Sequence, residues 1–210
     1  MESGENFGPP AAVVDSRRVA LLSDKQPPEI AVVSVADGRI VSRLPLPQAE
    51  VRSVSPDGKA FYYTSGGFVW SIPAAGGTAS KLGAGDSVAA DPNGRDLIVS
   101  LGESESTHLV RLPLSGGTAI PLEIQGDLRL ATSKLASGAV GPDGRIVADG
   151  ASASQWSYQV AMIDPLRHTI ARVPVNFDGE LAAALWTPDG RLIAPGKTYS
   201  FTLWRFRPNR

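Results

Sequence analysis

No cysteine occurs among the 210 residues of the chain, which removes disulfides, thiolate nucleophiles and cysteine-ligated metals together. The compartment stays open, because a chain of this length can bury a core without cross-links. An excess of one charge is lacking too. Twenty Lys and Arg stand against 21 Asp and Glu, a formal net charge of -1, so no basic field gathers nucleic acid or an anionic membrane surface. No apolar run approaches the roughly 18 residues of a spanning helix. Met1 to Pro10 has neither the basic start nor the apolar middle of a secretion signal.

Glycine and proline are plentiful, and they recur in register. Pro56-Asp57-Gly58-Lys59 returns as Pro92-Asn93-Gly94-Arg95, Pro142-Asp143-Gly144-Arg145 and Pro188-Asp189-Gly190-Arg191, with a degenerate copy at Asp15-Ser16-Arg17. The spacings of the Asp or Asn are 42, 36, 50 and 46 residues, which bracket the ~40–45 residues of a four-stranded propeller blade. Proline presets the second position of a tight turn, Asp or Asn bonds its own backbone two residues on, and glycine takes the positive-φ position. Each copy therefore joins two strands. β-formers follow the turns, as in Phe61-Tyr62-Tyr63-Thr64 and Leu97-Ile98-Val99, while the runs before them are short and small, as in Val51-Arg52-Ser53-Val54. Gly76-Gly77 and Gly116-Gly117, in two similar segments ending Gly-Gly-Thr-Ala, mark a second hairpin per repeat.

The expected fold is all-β: a β-propeller of four-stranded antiparallel blades, about five of them, at about 11–48, 49–83, 84–123, 124–175 and 176–210, after a disordered segment 1–10. Expected strands are 11–14, 18–23, 29–35 and 39–44 in blade one; 50–54, 59–64, 67–72 and 78–82 in blade two; and 86–90, 96–101, 107–112 and 118–122 in blade three. Blade four takes 136–140, 145–148, 157–163 and 168–174, with Leu128 to Leu135 as an inserted loop or short turn. Blade five has 181–186, 191–195 and 200–206. It lacks an outermost strand, and the Gly- and Pro-rich residues 1–10 are a poor substitute. The expectation is an open arc whose missing blades lie upstream.

The Pro-Asp-Gly-Lys/Arg turn at this period resembles the WD-like repeat of TolB-type bacterial propellers over residues 11–206. The ending Ser200-Phe201-Thr202-Leu203-Trp204-Arg205-Phe206-Arg207-Pro208 resembles the tail of the C-terminal propellers of bacterial serine/threonine kinases or regulators. The resemblance implies a binding or sensing segment of a larger bacterial protein. It also admits a TolB-like periplasmic interaction protein, or the substrate-gating propeller of a prolyl-oligopeptidase-type serine peptidase separated from its catalytic domain. The Trp-Asp and Gly-His pairs of eukaryotic WD repeats are absent.

Catalytic chemistry finds little purchase. Gly102-Glu103-Ser104-Glu105-Ser106 lacks the second glycine of a nucleophile elbow and lies in a hairpin. His108 and His168 fall in different blades, where packing or solvent exposure accounts for them. Asp86, Asp91, Asn93 and Asp96 miss the calcium-loop spacing. Gly83-Ala84-Gly85-Asp86-Ser87 has neither the lysine nor the helix of a phosphate loop and reads as the connection between blades two and three. The turn residues Asp57, Asn93, Asp143 and Asp189 repeat once per blade, which assigns them to the blade and not to a reaction. No catalytic, cofactor or metal residue is expected.

Trp70, Trp186 and Trp204 read as packing between blades. Trp156 follows Asp149-Gly150-Ala151-Ser152-Ala153-Ser154-Gln155, read as a loop between strands two and three. Such loops emerge on one face together with the connections between blades, and loops of this kind carry binding function. That face gathers Glu103, Glu105, Gln155, Trp156, the insertion with Asp127 and Arg129, and Phe177-Asp178. A protein, a peptide or a small ligand is the expected partner there, with self-association through open blade edges as a further possibility.

Overall fold

The computed structural model describes residues 6–24, 28–46, 50–102, 106–132, 134–155 and 157–200. Every regular element among them is a strand, and the strands assemble as blades. Blade one holds β1 (Phe7–Asp15), β2 (Arg18–Ser23), β3 (Glu29–Ser34) and β4 (Ile40–Pro45) in sequential order. Blade two holds β5 (Glu50–Val54), β6 (Ala60–Ser65), β7 (Phe68–Pro73) and β8 (Ser80–Ala84). Blade three holds β9 (Ser87–Ala90), β10 (Asp96–Gly102), β11 (Thr107–Pro113) and the two-residue β12 (Ile120–Pro121). All pairings within these sheets are antiparallel.

The turns carry the local chemistry that their sequence dictates. Asp57 Oδ1 accepts the Lys59 amide at 3.1 Å and the Ser55 hydroxyl at 2.7 Å, and Asn93 Oδ1 accepts the Arg95 amide at 2.6 Å. Asp143 takes the Arg145 amide at 3.1 Å and its Nε at 2.6 Å, while Asp189 takes Arg191 Nε at 2.7 Å. Gly58, Gly94, Gly144 and Gly190 all sit at φ between 70° and 80°, the left-handed region a side chain resists. Hydrogen bonds from Ser55 and Lys59 hold the Asp57 carboxyl below its ordinary range, and those from Arg191 and Thr187 do the same at Asp189.

Three expectations need correction. Residues 7–10, assigned to a disordered segment, belong to β1 and pair with β2 through a shifted register. The prolines fit because β1 pairs on one side only and needs no amide on the other. Blade four does not begin with a strand at 136–140. Its first strand is split. The insertion supplies β13 (Arg129–Leu130) against the far end of β14 (Ile146–Ala151), and Val140 bridges to Ile146 at the near end. β15 (Gln159–Asp164) and β16 (Thr169–Arg172) complete that sheet, and β14 runs on through Asp149 to Ala151, residues whose sequence reads as loop. Blade five shows one broken hairpin: β17 (Glu180–Leu181) and β18 (Leu185–Trp186) return as β19 (Leu192–Ile193) and β20 (Gly196–Lys197). Its expected strand 200–206 lies almost wholly outside the described residues.

The split strand has a purpose in the packing. Between its halves the chain leaves the sheet, and Leu135 N–H donates to Ser87 Oγ at 3.0 Å while Ser53 Oγ donates to Ser137 O at 3.3 Å. Trp186 N–H donates to Gly138 O at 2.8 Å. This excursion from blade four is therefore tied to the first strands of blades two, three and five. Ser53 and Ser87 are buried, and a buried hydroxyl without a partner costs about 1–3 kcal/mol, so the small residues of β5 and β9 are fitted to the strap that crosses them.

Between blades the faces are apolar. Phe61, Ile30, Val32 and Leu44 fill the space between blades one and two, with Trp70 stacked on Tyr63 at its edge. Val69, Val88, Leu97 and Val99 fill the next, and Ile98, Ile146, Ala161 and Ile163 the one after. Val147, Val160 and Ala184 pack with Trp186 between blades four and five. Each core is built from two neighbouring blades, as a repeat architecture requires.

Candidate binding cleft on the loop face

Of the loop-face residues expected from the sequence, Gln155 and Asp178 come together in one cleft. Glu103, Glu105 and Trp156 lie outside the described residues. Arg129 is exposed in β13, paired with Ala151, and does not line the cleft.

The cleft has a volume of about 320 Å³ and lies between the β14–β15 loop, which gives Ser154, Gln155 and Ser157, and the connection into blade five, which gives Phe177, Asp178 and Gly179. Gln159 at the start of β15 and Arg172 at the end of β16 also line it. Tyr158 joins Gln159, Arg172 and Phe177 around an adjoining hollow. Tyr158 and Phe177 are 38% and 40% exposed beside an arginine, residue types that anchor interfaces.

Phe177 is placed by two glycines. A Cβ on Gly196 would lie 2.5 Å from Phe177 Cζ, and one on Gly179 would lie 2.8 Å from Phe177 Cε1 and 2.3 Å from the Lys197 carbonyl oxygen. Neither position admits a side chain, and the ring rests where the side chains are missing.

Blade five is latched behind this wall by Asp149, whose Oδ1 accepts the Ala183 amide at 2.8 Å. Ala183 holds φ at 51°, a left-handed conformation rare for alanine, where the β17–β18 strand breaks. Burial, with a smaller push from Glu180, raises the Asp149 carboxyl above its ordinary 3.8 against the pull of the Ala183 amide. A raised carboxyl favours the protonated folded state, so its cost to stability is absent below pH 3.8 and grows as pH rises through the folded value. Asp149→Asn keeps the acceptor and removes the charge. Its melting temperature at pH 7 is expected to exceed wild type, the gap closing toward pH 3.5, as thermal melts across that range would show.

A second cleft, about 660 Å³, lies on the opposite, turn-bearing face between blades three and four. Its guanidinium groups are already committed. Arg111 spans Asp91 and Asp96 at 3.2 Å each, Arg145 meets Asp143 at 2.6 Å, and Arg167 meets Asp164 at 3.1 Å. Asp91 and Asp96 thus serve Arg111 and Asn93 the turn, and among the described residues no three His, Cys, Asp or Glu are placed to hold a metal ion. His108 Nε2 lies 2.8 Å from Ser106 Oγ, and His168 Nδ1 lies 3.3 Å from the Glu123 carbonyl oxygen, both exposed. No helix among the described residues is long and apolar enough to cross a membrane.

Gln159 and Arg172 were missed in the sequence because both lie within strands. The signal available was one polar residue, Gln159, heading an otherwise apolar run to Ile163.

No protein-family model and no curated protein matches the sequence. Solved structures match its shape. TolB from Acinetobacter baumannii superposes with a TM-score of 0.64 at 19% identity, over 93% of this chain and 53% of that one. A protein described as TolB from Agrobacterium tumefaciens gives 0.71 at 16% identity, over 92% of this chain and 71% of that one. A puromycin hydrolase S511A mutant complexed with PGG gives 0.54 at 20% identity, over 90% of this chain and 33% of that one. The chain thus spans about half the length of the A. baumannii protein. Four complete sheets and a partial fifth among the described residues agree with these superpositions: the chain has the TolB-like β-propeller fold, formed here as an incomplete arc.

Proposed function

We propose that the chain is a non-catalytic binding or sensing segment of a larger bacterial protein, and that it takes a peptide or an extended protein segment in the loop-face cleft of blades four and five. The observation that carries this reading is the convergence of Phe177, Arg172, Gln159 and Gln155 around one concavity, with Tyr158 on the hollow beside it. Aromatic walls grip an apolar side chain, and amide and guanidinium groups fix the main chain or a polar neighbour. A cleft of this size suits one or two residues of a partner, with further contacts along the loop face. The likeness to puromycin hydrolase is one of fold, and no residue of the cleft extends it to a peptidase role.

Selection of displayed peptides on the purified chain tests the reading. Peptides recovered against wild type are expected to bind Phe177→Ala at least about tenfold more weakly, since loss of a central aromatic anchor costs ~2 kcal/mol or more. Peptides that bind both proteins equally would place the binding surface elsewhere.

A further inference from the structure

Gln159 is only 7% exposed, yet its side-chain amide has no hydrogen-bond partner among the described residues and faces the cleft that it lines. The buried side-chain polar atoms left without a partner among the described residues are Ser23 Oγ and Trp186 Nε1, so the Gln159 amide is open to the cleft and available to what enters it. Beside it, Arg172 is the one cation lining the cleft, and its guanidinium enters no ion pair or hydrogen bond among the described residues. Arg111, Arg145, Arg167 and Arg191 of blades three to five are each held by an aspartate, and Arg95 and Arg129, which are not, do not line the cleft. One open amide and one uncommitted guanidinium therefore line the same cleft of about 320 Å³ beside Phe177.

We propose that Gln159 and Arg172 form a carboxylate-binding subsite, and that the cleft selects a partner segment with a carboxylate next to an apolar side chain. The proposal rests on the peptide-binding reading above and names its chemistry. An arginine fork and an amide NH2 both donate, and a carboxylate accepts from both without needing a proton of its own. The apolar neighbour packs on Phe177. Asp178 also lines the cleft and its charge opposes any carboxylate there, so the preference requires the two donors to outweigh it. An α-carboxylate at a chain end and a Glu or Asp side chain offer the same chemistry.

The test is a side-chain NMR titration of the full chain with three probes: N-acetyl-leucine, N-acetyl-glutamyl-leucinamide and N-acetyl-leucinamide. The first two carry an α-carboxylate and a side-chain carboxylate respectively, and the third carries none. Expected are saturable shifts of the Gln159 amide and Arg172 Nε–H resonances with one or both acids, at least about tenfold tighter than with the amide. Arg172→Gln, an exposed substitution that leaves the core alone, is expected to erase that preference, and Gln159→Glu to reverse it by repulsion. Whichever acid binds more tightly identifies the source of the carboxylate.

If all three probes bind alike and Phe177→Ala abolishes them all, the peptide cleft stands and the carboxylate subsite is overturned. If no probe shifts these resonances at millimolar concentration, both are overturned.

Discussion

Phe61→Ala is expected to lower the unfolding free energy by about 3–5 kcal/mol, the cost of deleting a fully enclosed ring. Phe61 is completely buried in β6, opposite Val54 and Ile72, and fills the layer between blades one and two with Ile30, Val32 and Leu44. In a repeat fold each unit contacts its neighbours and stability is close to a sum of units and interfaces. The loss should therefore be local. Hydrogen exchange is expected to show β2, β3 and β6 losing protection, while β14 and β15, whose core is Ile146, Ala161 and Ile163, keep most of theirs. Equal loss along the whole chain would mean that the arc unfolds as one unit and that the strap from blade four, bonded to Ser53 and Ser87, couples the blades more strongly than their apolar faces do.

The blade plan was legible because it rests on short-range chemistry. Pro-Asp-Gly specifies a turn within four residues, and the aspartate, the positive-φ glycine and the following β-formers need no distant partner to be read. What failed was non-local. Arg129 and Leu130 have no strand signature of their own, and they pair because Gly150 and Ala151 present a free edge about 20 residues away in sequence. Ser53 and Ser87 read only as small residues in short strands, since nothing local announces that a strap from residues 134–138 will bond them.

The candidate site divides the same way. Gln155 and Asp178 were legible as loop residues on one face. Gln159 and Arg172 were hidden inside strands, where alternation shows that a residue points away from its neighbours but not that the space it meets is empty. Trp186, read as packing between blades, does lie in that layer: its ring passes over Gly141, where a Cβ would come within 2.9 Å of it, with the Arg145 guanidinium 5.3 Å from its centroid.

Gly85 gives the second large effect. In the sequence it belongs to a run that begins like a phosphate loop. Its structural reason is different. Gly85 joins β8 to β9, its amide donates to the Gly67 carbonyl at 3.0 Å, and a Cβ there would lie 2.3 Å from Val99 Cγ1 and 2.7 Å from Val69 Cγ2. Both valines are fully buried with short, stiff side chains, so neither can swing away as the end of a long side chain could. Gly85→Ala is expected to destabilise by about 1–3 kcal/mol through overpacking, and Gly85→Val by more. Gly83, two residues earlier, provides the contrast. Its Cβ would meet only Leu112 methyls at 3.3 and 3.5 Å, and Gly83→Ala is expected to stay within about 1 kcal/mol of wild type. Steric conflict also predicts a sign for the pair. Val99→Ala alone opens a cavity and should cost about 2 kcal/mol, but combined with Gly85→Ala it vacates the position the new methyl needs. The double variant should be more stable than the sum of the singles by about 1 kcal/mol or more in urea denaturation. Strict additivity would mean that the backbone of the connection moves to admit the methyl, and that the close approach of blades two and three at Gly85 is a convenience of this sequence and not a requirement of the arc.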